Sequence, residues 1–172
     1  MHQHFITPTL ILIFCLSVVK TNAHAKDFGF LGLSVGYYNA LDSNNNSATV
    51  AVEYRPSKSV VFKRIKPWFG LQVNSRQSIW GGGGLLLELE PTKNTFLTTS
   101  FGVGLYSHGN NDIDLNHPIQ FKSQIELGYK FKNKNRVSIA LNHISHAGLG
   151  GNKNPGSESL LLYFHTPINS IF

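Results

Sequence analysis

Cysteine is nearly absent from this chain: the single one, Cys15, lies in an apolar N-terminal segment, and none follows it. The body of the protein therefore holds no disulfide and offers no cysteine ligand to a metal. Cys15 is not followed by the mature start of a lipoprotein, so it is not read as a lipid anchor. Cations are missing from the extreme N-terminus, where His2 and His4 precede the apolar run and Lys20 follows it. A run long enough for a membrane-spanning helix is missing too. The mostly apolar stretch from Phe5 to Val19 is too short to cross a bilayer but has the length of a signal-peptide core. Ala23-His24-Ala25 then supplies a small-x-small cleavage site before Lys26. The expectation is a signal peptide over 1–25 and one folded domain over 26–172.

Acidic residues are few: nine Asp and Glu face fifteen Lys and Arg, a formal charge of +6. Several cations cluster between Lys58 and Lys66, a pattern that fits an anionic surface. Charge alone does not separate lipid phosphate from nucleic acid, but an export signal argues against nucleic acid.

A helical period is the last absence. Beyond residue 26 the apolar residues alternate with polar or small ones in blocks of about ten, separated by turn residues. Leu31, Leu33, Val35 and Tyr37 oppose Gly32, Ser34 and Gly36; Ala48, Val50, Val52 and Tyr54 oppose Thr49, Glu53 and Arg55. Phe69, Leu71 and Val73 oppose Gln72, Asn74 and Arg76, and Leu85, Leu87 and Leu89 follow the run Gly81 to Gly84. A fifth block holds Leu97, Phe101, Val103 and Leu105. In the sixth, Ile119, Phe121, Ile125, Leu127, Tyr129 and Phe131 alternate with Gln120, Lys122, Gln124, Glu126 and Lys130. The seventh runs from Arg136 to about His146 and the eighth from about Ser157 to Thr166.

Eight strands close a small barrel, and so many charged and amide groups opposite large apolar ones fit a wall with lipid outside and a polar lumen. The fold expected is an all-β, eight-stranded antiparallel transmembrane barrel. A soluble lipocalin-like barrel, apolar inside, is the competing architecture, because parity does not say which face is inward. With a periplasmic N-terminus, the longer connections around 39–46, 108–117 and 147–156 fall outside the cell.

Parity also marks a site. On strand seven the apolar series Val137, Ile139, Leu141 continues into His143 and Ser145, and on strand eight Glu158 is in phase with Leu160, Leu162 and Phe164. A hairpin brings these three groups to one patch on the lipid side. For any one of them alone, an ordinary polar residue at the membrane rim is the better account. Together, hydroxyl, imidazole and carboxylate are the set required for serine-type acyl transfer. Two-residue spacing places the Cα atoms of His143 and Ser145 about 6–7 Å apart on one face.

His143-Ile144-Ser145-His146-Ala147-Gly148-Leu149, followed by Asn154-Pro155-Gly156-Ser157-Glu158, resembles the C-terminal signature of the PagL-type lipid A 3-O-deacylases. That pattern is His-x-Ser-Asn-Ala-Gly, an Asn-x-Gly segment, and a Glu in the last hairpin. The resemblance implies an outer-membrane barrel enzyme that hydrolyses the ester-linked acyl chain at position 3 of lipid A without a cofactor or metal. It makes Ser145 the nucleophile, His143 the base and Glu158 the orienting acid. His146 stands where the family usually has Asn, so the oxyanion donor is sought among the His146 imidazole and the backbone N–H groups of Ala147 and Gly148. The implied partners are lipopolysaccharide and the outer membrane; a homodimer is left open.

Two other readings compete: a non-catalytic barrel (adhesin, structural protein or degenerate homologue), and an esterase or phospholipase of different specificity on the same scaffold. Gly81 to Gly84 lacks the helix and Lys-Ser/Thr of a phosphate loop and is read as room beside a bulky neighbour. His108 and His117 flank a loop with Asp112 and Asp114, read as solvated rather than metal-binding. Trp68, Trp80 and the tyrosines are read as including interfacial girdle residues.

Overall fold

The computed structural model describes residues 28–42, 45–61, 64–109, 113–151 and 153–168. The expected signal peptide, Cys15 and the terminal Phe172 lie outside the described residues. Each alternating block forms a strand: β1 (Gly29–Tyr38), β2 (Ser47–Arg55), β3 (Ile65–Asn74), β4 (Ile79–Leu89), β5 (Thr95–Ser107), β6 (Ile119–Lys130), β7 (Arg136–Ser145) and β8 (Ser157–Ile168). Neighbours pair antiparallel in sequence order, and β8 returns to β1 to close the barrel. Gly29 lies opposite Ile168 and Tyr38 opposite Ser159 in that closing seam. Closure satisfies every strand edge, the condition for placing a sheet in hydrocarbon.

The direction of the pleat is now fixed. Leu33, Val35, Phe101, Leu127 and Ile139 are each about 60% exposed, whereas Gln72, Gln120, Gln124, Glu126 and Asn142 are buried. The apolar face is outside and the polar face is inside, the reverse of a lipocalin. No helix among the described residues is long and apolar enough to cross a membrane; the strands make the crossing.

The lumen is filled in layers. At the end carrying the longer connections, Trp68 and Trp80 stack with ring centroids 5.9 Å apart and join Leu86, Tyr106 and Ile144. Leu115, from the β5–β6 connection, inserts into this cluster and is fully buried. Below it lies an ionic layer. Arg55 donates to Glu53 at 2.5 Å and also to Glu126; His165 Nε2–H and the Ser138 hydroxyl both donate to Glu126 Oε1, at 2.8 and 2.6 Å. Lys122 links the layers, its ammonium lying 5.0 Å from the Trp80 ring centroid and donating to Gln72 at 3.2 Å. At the opposite end the Arg136 guanidinium lies 3.8 Å from the centroid of Phe30.

Two expectations are corrected here. Trp68 and Trp80 are not girdle residues: they are 1% and 2% exposed, because their parity is opposite to that of Phe69 and Ile79. Among the tyrosines, Tyr37 and Tyr129 do face outward. The glycine run, placed before the fourth strand by the sequence, lies inside β4. Gly82 and Gly84 pair with Gly104 and Gly102 of β5. A Cβ at Gly102 would stand 2.8 Å from the Trp68 ring, and one at Gly104 2.7 Å from Trp80. The glycines are the floor on which the indoles lie.

Candidate active site

The outward face of β7 reads Val137, Ile139, Leu141, His143, Ser145, so a lipid-facing row turns polar at the strand's end. Glu158 is the first outward residue of β8 and lies directly opposite His143. Its Oε1 is 2.9 Å from His143 Nδ1, with the two side chains 30% and 45% exposed. Ionised carboxylate accepts only, so Nδ1 carries the proton and Nε2 presents its lone pair, the arrangement of a general base. Against the other edge of the ring lies Gly156, at φ +62°. A Cβ there would stand 2.6 Å from His143 Cε1 and 3.3 Å from Nε2, so this position requires glycine on both counts.

Ser145 shares the outward face one pleat further on, half-buried, opposite Phe121 of β6. Phe121 stacks on Phe101, ring centroids 5.9 Å apart. No hydrogen bond joins Ser145 to His143 among the described residues. In a substrate-free site such bonds are often long and tighten only with substrate. Beyond the trio, Leu141, Ile139, Leu160 and Leu162 continue as an exposed apolar wall.

The segment after Ser145 forms a tight turn, with Leu149 N–H donating to His146 O at 3.0 Å. Ala147 and Gly148 occupy its centre at φ +49° and +91°, the signature of a type I′ turn. A left-handed conformation costs alanine about 1 kcal/mol, so something must hold it. His146 does, and it is completely buried. Its Nδ1 accepts the N–H groups of Gly148 and Gly150 at 3.1 and 3.0 Å, its Nε2–H donates to Lys153 O at 2.7 Å, and its backbone N–H donates to Asn154 Oδ1 at 3.2 Å. Of the three oxyanion candidates, the His146 ring and the Gly148 N–H are thus already engaged. The Ala147 N–H has no acceptor among the described residues.

The loop is also keyed to its neighbour. Asn116 Nδ2 donates to the same Lys153 carbonyl at 3.3 Å, and the His117 ring lies 6.2 Å from that of His146. Alternation gave no sign of these contacts, since loops have no period; the residue signal was a histidine in place of the expected Asn. His108 and Asp114 stand 3.9 Å apart and exposed, while His117 Nδ1 accepts the Ile119 N–H at 3.1 Å; Asp112 lies outside the described residues. The described cations of the Lys58–Lys66 stretch, Lys58, Arg64 and Lys66, lie at the other end of the barrel, between β2 and the first residues of β3, away from the trio.

The model of the lipid A 3-O-deacylase (PagL) family matches residues 50–167, well over half of the chain. No curated protein matches. Among solved structures, the crystal structure of the outer membrane enzyme PagL aligns with a TM-score of 0.59 at 22% identity, covering 81% of this chain and 99% of that one. A structure from the de novo design of transmembrane β-barrels aligns with a TM-score of 0.54 at 9% identity, covering 81% and 96%. At those identities the structural likeness speaks for the fold, and the family match carries the kinship. The chain belongs to the lipid A 3-O-deacylase (PagL) family, a barrel enzyme of the bacterial outer membrane.

Proposed function

We propose that this chain removes the ester-linked acyl chain at position 3 of lipid A by a Ser145–His143–Glu158 mechanism. The observation that carries the reading is the 2.9 Å bond from His143 Nδ1 to Glu158, made on the lipid-facing side of the wall with Ser145 on the same strand face. Lipid A stands in the outer leaflet with its acyl chains against the barrel, so a catalytic group aimed outward meets the ester where a lumenal one would not. The row from Leu141 to Ile139 and Leu160 to Leu162 gives the chain an apolar surface to lie on.

Ser145 Oγ attacks the ester carbonyl while His143 Nε2 takes its proton, and Glu158 stabilises the resulting imidazolium. The tetrahedral oxyanion accepts the Ala147 N–H, the donor that the turn leaves free. Collapse breaks the ester bond, and His143 returns the proton to the departing sugar hydroxyl. Water then hydrolyses the acyl-serine by the same route, releasing the fatty acid. No metal or cofactor has a part in this scheme.

The missing Ser145–His143 hydrogen bond is the one feature that favours a non-catalytic barrel. Mass spectrometry of lipid A from cells making the wild type or Ser145→Ala decides between them. Loss of one 3-hydroxyacyl chain in wild-type cells, and its retention in the variant, is expected. Equal loss in both, or none in either, rejects the mechanism. Purified protein given lipid A and phospholipid side by side tests the substrate class.

A further inference from the structure

We infer that His146 is a positioning residue for the oxyanion donor, acting through the backbone rather than by touching the substrate; this rests on the deacylase reading above. Three observations converge. Both ring nitrogens are already committed, Nδ1 to two backbone N–H groups and Nε2 to the Lys153 carbonyl. The ring is completely buried, so reaching an oxyanion would require it to leave all three bonds. The residue it holds is the one whose N–H is unclaimed: Ala147, at φ +49°, in the turn that follows the nucleophile.

The direction of each bond explains how this works. In the Nε2–H tautomer, Nδ1 is a pure acceptor, and it gathers the Gly148 and Gly150 N–H groups on one atom, fixing the backbone on the far side of Ala147. Without that acceptor the turn keeps only its Leu149 N–H to His146 O bond to hold alanine left-handed, and a shift to alanine's preferred backbone region swings the Ala147 N–H away. The Nε2–H bond adds a second anchor at Lys153 O, which Asn116 of the β5–β6 connection shares. Leu115, buried among the lumenal aromatics, fixes that connection in turn. The oxyanion donor is therefore tied to the barrel core through a chain of contacts that passes through one imidazole.

Asparagine at this position would keep part of the device. Its Oδ1 stands close to where Nδ1 stands and can accept the same two N–H groups, but it offers nothing to Lys153 O. Ranking follows directly: alanine removes both anchors, asparagine one.

The test uses the full barrel refolded in detergent micelles, with lipid A as substrate and heat-modified gel mobility as the check on folding. His146→Ala is expected to lower kcat about 100-fold or more with KM within about twofold, a loss in the range of a missing oxyanion donor. His146→Asn should recover most of that loss. In a second measurement on wild type, 15N-alanine-labelled protein is reacted at Ser145 with an alkylphosphonate ester. The Ala147 amide proton, identified by its disappearance in Ala147→Gly, should move downfield in the adduct while the His146 Nε2–H resonance stays in place. A shift of the ring resonance without the amide overturns the inference, as does wild-type kcat in folded His146→Ala. Inactive wild type that also fails to react with the phosphonate overturns the deacylase reading itself, and the inference with it.

Discussion

The barrel wall around β7 carries serine, histidine and glutamate on both of its faces, and the two groupings differ in which imidazole nitrogen meets the carboxylate and in where the serine hydroxyl is bonded. On the outside, Glu158 takes His143 Nδ1 and leaves Nε2 open on the ring edge beside the glycine cleft. In the lumen, Glu126 Oε1 receives both His165 Nε2–H and the Ser138 hydroxyl, with Ser138 Oγ 3.2 Å from that same Nε2. The lumenal serine thus faces a nitrogen that is already a donor, and its own proton is spent on the carboxylate. Arg55 holds the other carboxylate oxygen. The same three side-chain types make a proton acceptor in one place and a closed set of bonds in the other. Composition alone does not set the chemistry; the nitrogen that the carboxylate occupies decides whether the imidazole can accept a proton.

Breaking either grouping should therefore give opposite results in activity and stability. Glu158→Gln removes the charge that steadies the imidazolium while keeping the shape. Deacylation of purified lipid A should fall about 1000-fold, about 4 kcal/mol in the barrier, with urea unfolding in vesicles unchanged. If activity holds, the carboxylate is ornamental and the comparison collapses. Glu126→Ala leaves the buried Arg55 with Glu53 alone and strips His165 and Ser138 of their shared acceptor. Unfolding should become easier by about 3 kcal/mol, while the activity of the fraction that remains folded stays at the wild-type level. Lost activity in the folded fraction would assign the lumenal group to chemistry. Ser138→Ala deletes a single hydrogen bond and should cost about 1 kcal/mol in the same unfolding measurement, with no change in turnover.

How much of this could be read from residues alone follows from periodicity. Strands have a period of two, so the outward placement of His143, Ser145 and Glu158 was visible as an apolar series ending in polar groups, and one hairpin was enough to join them. The strand count came from the same pattern, whereas the inward direction of the polar face did not, because alternation is the same for either orientation. Trp80 was misplaced because Gly81 to Gly84 offers no contrast between faces, so the parity of Ile79 and Leu85 has to be carried across it; Trp68 was legible, standing out of phase with Phe69, Leu71 and Val73. The loop chemistry was invisible for a different reason. His146 bonds to Gly148, Gly150 and Lys153 through their backbones, and a backbone partner has no side-chain identity to read. The basic stretch at Lys58 to Lys66 was legible as charge but not as location, since net charge carries no information about which end of a barrel it marks.

The packed interior has a meaning for the proposed chemistry as well as for the fold. Stacked indoles, the inserted Leu115, the salt-linked middle layer and the Arg136–Phe30 contact occupy the cylinder from one mouth to the other. A deacylase working from the outer wall, as proposed for His143, Ser145 and Glu158, has no use for a bore. Among the described residues the lumen is given over to holding the wall in shape, and the wall is the surface that meets the lipid.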